Sequence, residues 1–199
     1  MLTRMNIFAY CAASFREVTR RAAGVEPLTC PPASAEFFEL TWLEGYDFLY
    51  FDLHGEPGAT FWCGDDGIVA LTAPQVLGAD LGGAIVFATN CYLADEDSPM
   101  MDALLEAGAR YVIGGQGPNW AGQCTMYGAS LLGLRFRQLL QRRLDPLRAI
   151  TLAKRWVRLG QAANRILGHK SLSQAAEDTL AFRVYYRREM DEREDRALV

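Results

Sequence analysis

Short apolar runs separated by amphipathic stretches dominate the first two thirds of the chain. Runs that are apolar nearly throughout, with turn residues at their ends, predict buried strands. The predicted strands are Thr3–Tyr10, Val25–Pro32, Asp47–Leu53, Thr60–Cys63 at an edge, Ala84–Thr89 and Ala109–Gly114. Short helices are predicted at Ser14–Ala23 with Ser14 as N-cap, Ser34–Glu44, Thr72–Leu77 and Met100–Ala107. This alternation predicts an α/β fold, a mainly parallel sheet with helices on both faces.

The last third of the chain has a helical period. Ala129–Leu144 carries apolar residues on one side and arginines on the other. Asp145 and Pro146 then predict the start of a helix that runs to Gly160, because Asp is favoured as N-cap and Pro in the first turn. Ser171–Arg193 predicts a charged terminal helix. We therefore expect one domain over residues 1–170 and a charged helical extension over residues 171–199.

The amino-acid composition excludes several classes of protein. The 199 residues are 50% hydrophobic and 22% charged, which is typical of a globular domain and excludes disorder over the whole length. No apolar run approaches the ~20 residues that cross a bilayer, and the N-terminus lacks a signal-peptide pattern. The five cysteines form no CxxC, and the Gly-rich stretch 114–122 lacks a phosphate-loop spacing. We expect a reduced, cytoplasmic chain without membrane contact, metal or cofactor.

Charge is distributed unevenly along the chain. Ala22–Ala109 contains fifteen acidic residues and no Lys or Arg, whereas Arg110–Lys170 contains eleven basic residues and one acid, Asp145. A cleft built by the first half therefore lies in a negative potential, which favours cationic partners and argues against nucleic-acid binding there. The arginines of the second half are either solvated helix faces or a docking surface for a partner protein.

Two reactive side chains follow predicted strands. His54 follows the third strand directly, and Cys91 lies two residues beyond the fifth. Ligand sites of parallel sheets lie at the carboxyl ends of the strands, and neighbouring strands are about 4.8 Å apart. An imidazole there would take the proton of a thiol and later protonate a leaving amine. Gly55 leaves room for a substrate carbonyl at its N–H, which would form an oxyanion hole with the N–H of Cys91.

Each of these residues also has a structural interpretation. A single cysteine at a strand end is most often a small buried hydrophobe, and a His-Gly pair is a weak signal anywhere. Their meeting at one predicted sheet edge favours a functional pair. The other histidine, His169, lies in a basic helical region, so His54 is the candidate base. Core or surface positions are expected for the remaining cysteines, Cys11, Cys30, Cys63 and Cys124.

The order of several segments over residues 45–160 carries a family resemblance. The segments are an apolar strand, His54-Gly55, Asp66-Gly67-Ile68, Leu71-Thr72-Ala73, Gly78-Ala79-Asp80-Leu81, a second apolar strand with Cys91, Glu106–Gly114 and Asp145–Lys154. This order resembles the CHAT peptidases, caspase-like bacterial cysteine peptidases related to separase. The resemblance implies a caspase–haemoglobinase-like fold, a catalytic dyad of His54 and Cys91, and a place in a bacterial defence or cell-death system that cuts a companion protein.

The sequence departs from that family near the predicted nucleophile. The residue before Cys91 is Asn90 where the family often has Ala, and it would orient the backbone or contact substrate. The loop after the last strand lacks the acid with which separase holds a P1 arginine. Gln116, Asn119 and Trp120 are therefore the candidate pocket residues, with packing under the loop as the alternative for Trp120.

An acidic run follows the predicted nucleophile. Asp95 and Asp97, with Glu96 between them, are candidates to attract a basic P1 side chain through charge-assisted hydrogen bonds. The alternatives are a solvated loop and a weak calcium site of the kind found in some related caspase-like enzymes.

Together these observations predict a cysteine endopeptidase that cleaves a protein substrate after a basic P1 residue through an acyl-enzyme. The sequence lacks the sensor repeats that often accompany domains of this family. We therefore expect a separate activator protein, oligomerisation or a mobile loop to control the activity. One alternative is a catalytically silent caspase-like interaction module. Another is a doubly wound redox or small-ligand-binding domain, against which the missing CxxC and phosphate-binding fingerprint argue.

Overall fold

A computed structural model describes residues 5–119, 125–166 and 181–186 of the chain. The strands are β1 (Ile7–Ala12), β2 (Leu28–Cys30), β3 (Phe48–Asp52), β4 (Phe61–Cys63), β5 (Val69–Thr72), β6 (Ile85–Ala88), β7 (Tyr111–Gly115) and β8 (Phe182–Tyr186). The helices are α1 (Arg16–Ala23), α2 (Ala73–Leu77), α3 (Pro99–Glu106), α4 (Gly128–Gln141) and α5 (Pro146–Ile166). None of the helices in these ranges is long and apolar enough to span a membrane.

Six strands form one sheet in the order β2-β1-β3-β6-β7-β8. The first five of these are parallel to one another, and β8 is antiparallel to β7. β4 and β5 form a separate antiparallel hairpin. β1, β3, β6 and β7 thus all end at one edge of the sheet, which we call the carboxyl edge. β2 lies on one side of β1, and β3 lies on the other. A place where the strand order reverses in this way is called a switch point, and α/β sheets bind ligands at such points.

Helices cover both faces of the sheet, as expected for an α/β fold. Alternate residues of β3 point to opposite faces, so Leu49 and Phe51 pack with α2, α3 and the hairpin, while Phe48 and Tyr50 pack with α1, α4 and α5. All five residues of β3 are buried. The central strand is therefore apolar because both of its faces lie in a hydrophobic core.

Three predictions for the first third differ from the structure. Instead of a helix over Ser34–Glu44, the chain forms a 3-10 turn at Leu40–Leu43. The N–H of Ala35 instead donates to Val69 O, and its carbonyl accepts from Gln75 Nε2, so tertiary hydrogen bonds replace helical ones. Ser14 does not cap a helix either, because its N–H and hydroxyl both bind the carboxylate of Asp65 and α1 begins at Arg16. The first strand also lies later than predicted, at β1.

The C-terminal prediction is wrong where the structure describes it. Residues 182–186 of the helix expected over Ser171–Arg193 form β8, and Ala181 before them lies in a turn. Residues 171–180 and 187–193 lie outside the described residues. β8 pairs with all five residues of β7, and Phe182 is fully buried with its ring 5.5 Å from that of Phe87. Pairing with a free sheet edge therefore outweighs the helical charge pattern, and this strand belongs to the main sheet rather than to a separate extension. β5 is a further strand that the pattern did not predict.

Candidate active site

His54 and Cys91 leave two neighbouring strands at the same level. β3 and β6 are paired in parallel up to Phe51 and Ala88, and each reactive residue lies three positions further along its own strand. The last backbone hydrogen bond of this ladder runs from Thr89 N–H to Phe51 O at 2.9 Å. The prediction that both residues leave neighbouring strands at the carboxyl edge is confirmed.

Asn90 extends this ladder with its side chain. Its Oδ1 accepts a hydrogen bond from Leu53 N–H at 3.0 Å, and the residue is only 1% exposed. A side-chain acceptor therefore holds the two strand ends together where the backbone ladder stops. The structure places Asn90 between the strands, which fits its backbone-orienting interpretation and not a substrate contact.

His54 is held through its backbone and leaves its ring exposed. Its N–H donates to Cys63 O at 2.8 Å, and its carbonyl accepts from Cys63 N–H at 3.0 Å, so the β4 end clamps it from one side. The imidazole packs against the ring of Phe15, with 5.2 Å between ring centroids. Phe15 follows Ser14, which Asp65 anchors through two hydrogen bonds. Phe15 and Asp65 were not found from the sequence, because each acts on a segment about 40 or more residues away.

Gly55 lies directly against the backbone of Cys91. A methyl group on residue 55 would lie 2.3 Å from Cys91 O, which is closer than real side chains approach a carbonyl oxygen, so this position requires glycine. Within the described residues, neither Gly55 N–H nor Cys91 N–H donates to any acceptor. Both amides are thus available to a ligand oxygen at the position predicted for the oxyanion hole.

Cys91 begins a tight turn. The next residue, Tyr92, has a φ of 61°, a left-handed conformation that costs a non-glycine residue about 1–3 kcal/mol and is concentrated at functional sites. Hydrogen bonds to the loop after β7 hold the turn, because Tyr92 N–H donates to Gly117 O at 2.8 Å and Ala94 N–H donates to Gly115 O at 3.1 Å. The half-buried thiol therefore projects from a turn that its neighbours fix.

The loop after β7 contacts the sulfur itself. Asn119 N–H donates to Cys91 Sγ at 3.2 Å, and the thiol lies 3.7 Å from Asn119 O, within range to donate to it. Asn119 Nδ2 also donates to Asn90 O at 2.8 Å. Asn119 Oδ1 and Asn90 Nδ2 are buried without a partner among the described residues. Asn119, predicted as a pocket residue, thus lies at the nucleophile.

The other predicted pocket residues have different surroundings. Gln116 Oε1 accepts from Arg183 of β8 at 3.1 Å, so this side chain joins the loop to the last strand. Asp95 Oδ1 accepts from Gly117 N–H at 2.8 Å and braces the same loop, while Asp97 is exposed. Trp120 lies outside the described residues. The described part of the chain contains no group of three or more His, Cys, Asp or Glu side chains that could hold a metal ion.

A buried carboxyl lies two residues before His54. Asp52 is 2% exposed and accepts hydrogen bonds from the hydroxyls of Thr89 at 2.5 Å and Thr19 at 2.8 Å. Burial raises the pKa of this carboxyl to about 6, although the two hydrogen bonds lower it. Burial also raises the pKa of the Cys11 thiol, its neighbour on β1, to about 12. Asp52 therefore ties α1 and the end of β6 to the strand that carries His54.

The remaining described cysteines have no such environment. Cys11 and Cys30 are buried, and Cys63 is half-buried beside the His54 backbone. Burial raises the pKa of the Cys30 and Cys63 thiols, which disfavours their thiolates. The sequence predicts core or surface placement for these cysteines, and the structure places Cys11 and Cys30 in the core and Cys63 at its margin. Cys124 lies outside the described residues.

The sequence matches no known protein family, and no curated protein is significantly similar to it.

Proposed function

We propose that this chain is a cysteine endopeptidase of caspase-like fold, with Cys91 as nucleophile and His54 as general base and acid. One observation carries the proposal: His54 and Cys91 leave adjacent parallel strands at the same level, with Gly55 packed against the Cys91 backbone. The groups that peptide hydrolysis needs, a thiol, an imidazole and two free amides, thus follow β3 and β6 at the carboxyl edge, next to the switch point between β1 and β3.

The proposed mechanism proceeds through an acyl-enzyme. His54 takes the proton of Cys91 while the sulfur attacks the scissile carbonyl carbon, and the N–H groups of Gly55 and Cys91 receive the developing oxyanion. The imidazolium of His54 then protonates the leaving amine, which departs as the C–N bond breaks. A water molecule, deprotonated by His54, attacks the thioester, and the returning proton restores the Cys91 thiol as the new carboxyl terminus leaves.

The charge around the site supports a basic residue on the acyl side of the cleaved bond. Both strands that lead to the proposed catalytic residues lie in the stretch Ala22–Ala109, which contains no Lys or Arg. Glu56 and Asp97 are exposed on the loops that follow His54 and Cys91. Carboxylates near a partly shielded cleft attract Arg or Lys and repel Asp or Glu. We therefore propose a protein substrate, such as a companion protein of the same system, cut after Arg or Lys.

Cleavage of a proteome-derived peptide library, read by mass spectrometry of the new termini, tests this proposal. The expected result is a set of cleavages enriched for Arg or Lys at P1 and absent with Cys91→Ala. Cys63→Ala is the matched control, since residue 63 contacts His54 through its backbone, and it should cleave like the wild type. Cleavages that persist in Cys91→Ala, or a wild type that cuts nothing, would contradict the assignment.

One observation favours the second candidate, a caspase-like interaction module without catalysis. The backbone of Asn119 lies within hydrogen-bond range of Cys91 Sγ through both its N–H and its carbonyl, so this loop covers the sulfur. A substrate would have to displace that contact before attack. In the library experiment, a silent wild type that remains silent with every added candidate partner protein would favour this second function.

A further inference from the structure

The outer side of α5 carries a strip of apolar side chains. Leu152, Trp156 and Leu159 follow the spacing i, i+4, i+7, which places them in one row about 10 Å long. Trp156 is 59% exposed and Leu159 is 66% exposed, whereas Leu152 is half-buried. We call these three residues the Trp156 strip. Large apolar side chains exposed in a row are uncommon on a protein that has no partner.

An open depression continues the strip toward the start of α5. It has a volume of about 440 Å³ and is lined by Leu147, Arg148, Thr151 and Leu152. Leu152 belongs to both features, and Leu147 is 38% exposed. The depression therefore offers a concave end to the row of apolar side chains, and such a shape receives an anchor residue of a partner.

Arginines border the strip. Arg148 and Arg155 lie next to it on the α5 surface, and the guanidinium of Arg135 on α4 lies 5.8 Å from the centre of the Trp156 ring. In the described ranges none of these three forms an ion pair with a carboxylate. The one acid between Arg110 and Lys170, Asp145, accepts the N–H groups of Leu147 and Arg148 as the cap of α5.

We infer that the Trp156 strip is the docking site for an acidic amphipathic helix of a partner protein. A straight row of apolar residues along one helix fits the apolar stripe of a second helix, whose spacing is the same. The arginines on its border, which form no ion pair within the described residues, supply the charge that glutamates and aspartates flanking that stripe would pair with. Trp and Arg are the residue types that most often supply binding energy at interfaces.

Two other anionic partners fit these observations less well. The apolar face of α5 formed by Ala149, Ala153 and Val157 is buried against the core, so the helix lacks the broad exposed apolar face with which interfacial helices enter lipid. Binding to nucleic-acid phosphates requires the arginines but gives no role to an exposed row of Leu and Trp. The combination of both features favours a protein helix.

Fluorescence anisotropy with three stapled helical peptides tests this inference on the full chain. The Glu–Leu peptide is about 15 residues long and repeats Leu at helical spacing between glutamates. In the Lys–Leu peptide every Glu is replaced by Lys. In the Glu–Ser peptide every Leu is replaced by Ser. We expect the Glu–Leu peptide to bind at least tenfold more tightly than the other two. Its binding should weaken at least tenfold in Trp156→Ala and in Arg155→Glu, and should also weaken as salt is raised.

Two matched variants control for general effects of the substitutions. Phe37→Ala removes an equally exposed aromatic side chain, 66% exposed, from a part of the chain outside α4 and α5, and Arg21→Glu makes the same charge reversal on α1. Both should bind the Glu–Leu peptide as the wild type does. Equal binding of all three peptides, or equal loss in the control variants, would overturn the inference.

Two further probes separate the other anionic partners. Vesicles of phosphatidylglycerol and a duplex DNA oligonucleotide are mixed with the same variants. One contrary result is binding to either probe that depends on Trp156 and Arg155, without a preference for the Glu–Leu peptide. It would identify the partner as a membrane or a nucleic acid instead of a protein. No binding to any of the five probes would refute a docking role for the strip.

Discussion

Gly55 is the residue of the candidate site whose identity the structure constrains most, because no larger residue fits there. Its Cα packs against the carbonyl of Cys91, and its N–H is one of the two amides that we propose as the oxyanion hole. The sequence predicted that His54, Gly55 and Cys91 lie just beyond two neighbouring strands, because the two runs before them are apolar nearly throughout. The catalytic roles of these three residues stay predictions. The sequence did not predict Phe15 or Asp65, since their contacts join segments that only the folded chain brings together.

Replacing Gly55 by Ala should slow the reaction of Cys91 with a peptidyl acyloxymethylketone by about 100-fold or more. A methyl group 2.3 Å from Cys91 O must displace the turn, and loss of one oxyanion donor typically costs about 10²–10³ in rate. The measurement is the labelling rate followed by mass spectrometry, with circular dichroism to verify the fold. Gly160→Ala is the control, because nothing lies within 4 Å of that position, and labelling of Gly55→Ala at the wild-type rate would contradict the role of Gly55.

Asp52 should make the fold less stable as the pH rises from about 4 to 6. The folded chain keeps this proton up to a pKa of about 6, whereas the unfolded chain releases it near 3.8, so the folded state binds more protons between these values. The free energy of unfolding then falls by about 2 kcal/mol across this interval, out of about 3 kcal/mol over the whole titration. Urea unfolding of wild type and Asp52→Asn at several pH values measures the difference between them.

Asn at position 52 has no proton to lose, so the variant should gain stability relative to the wild type as the pH rises. A difference that stays constant from pH 4 to 8 would show that the Asp52 carboxyl does not titrate in this interval.

At the scale of elements, packing against the sheet decides which sequence patterns become structure. The apolar runs of β3, β6 and β7 predicted strands because both sheet faces are covered. β8 could not be predicted, because its charged surroundings favour a helix and only the free edge of β7 makes it a strand. The helix expected over Ser34–Glu44 fails for the same reason, since its backbone finds partners on distant segments.

Gly133 sets how closely α4 approaches the sheet. A methyl group there would lie 2.6 Å from Tyr50 Cε2 and 2.8 Å from Phe87 Cε1. Gly133→Ala should lower the free energy of unfolding by roughly 1–2 kcal/mol, because overpacking outweighs the gain in helix propensity. Gly160→Ala in α5 meets open space and should raise it by up to about 1 kcal/mol. Denaturant unfolding measures the free energy of unfolding of both variants. If Gly133→Ala stabilised the fold, α4 would have to pack further from the sheet than it does in this structure.

Phe182 tests whether β8 belongs to the core. Its ring is fully buried and stacked on Phe87, so Phe182→Ala should cost about 3–5 kcal/mol of unfolding free energy. Tyr186 at the other end of β8 is 44% exposed, and Tyr186→Ala should cost about 1 kcal/mol. Thermal and urea unfolding compare the two variants. Equal, small losses would place the last strand outside the cooperative core.

At the scale of the whole molecule, acidic and basic residues occupy different parts of the chain. The acidic stretch Ala22–Ala109 contains the strands that lead to His54 and Cys91, and the loop after β7 contacts Cys91. The arginine-rich α4 and α5 cover one face of the sheet and expose the Trp156 strip. The sequence showed this charge division, but not that the arginines flank a row of exposed apolar side chains. That arrangement depends on which side of α5 packs against the sheet.

The most direct test of the central claim is the intact mass of the purified chain after reaction with a peptidyl-Arg acyloxymethylketone. The account predicts one adduct per chain, located on Cys91 and absent from Cys30 and Cys63. It should be lost in Cys91→Ala and in His54→Ala. An adduct on Cys91 that forms as fast in His54→Ala would contradict a His54–Cys91 dyad. So would a wild type that reacts with neither the Arg probe nor its Asp and Leu analogues.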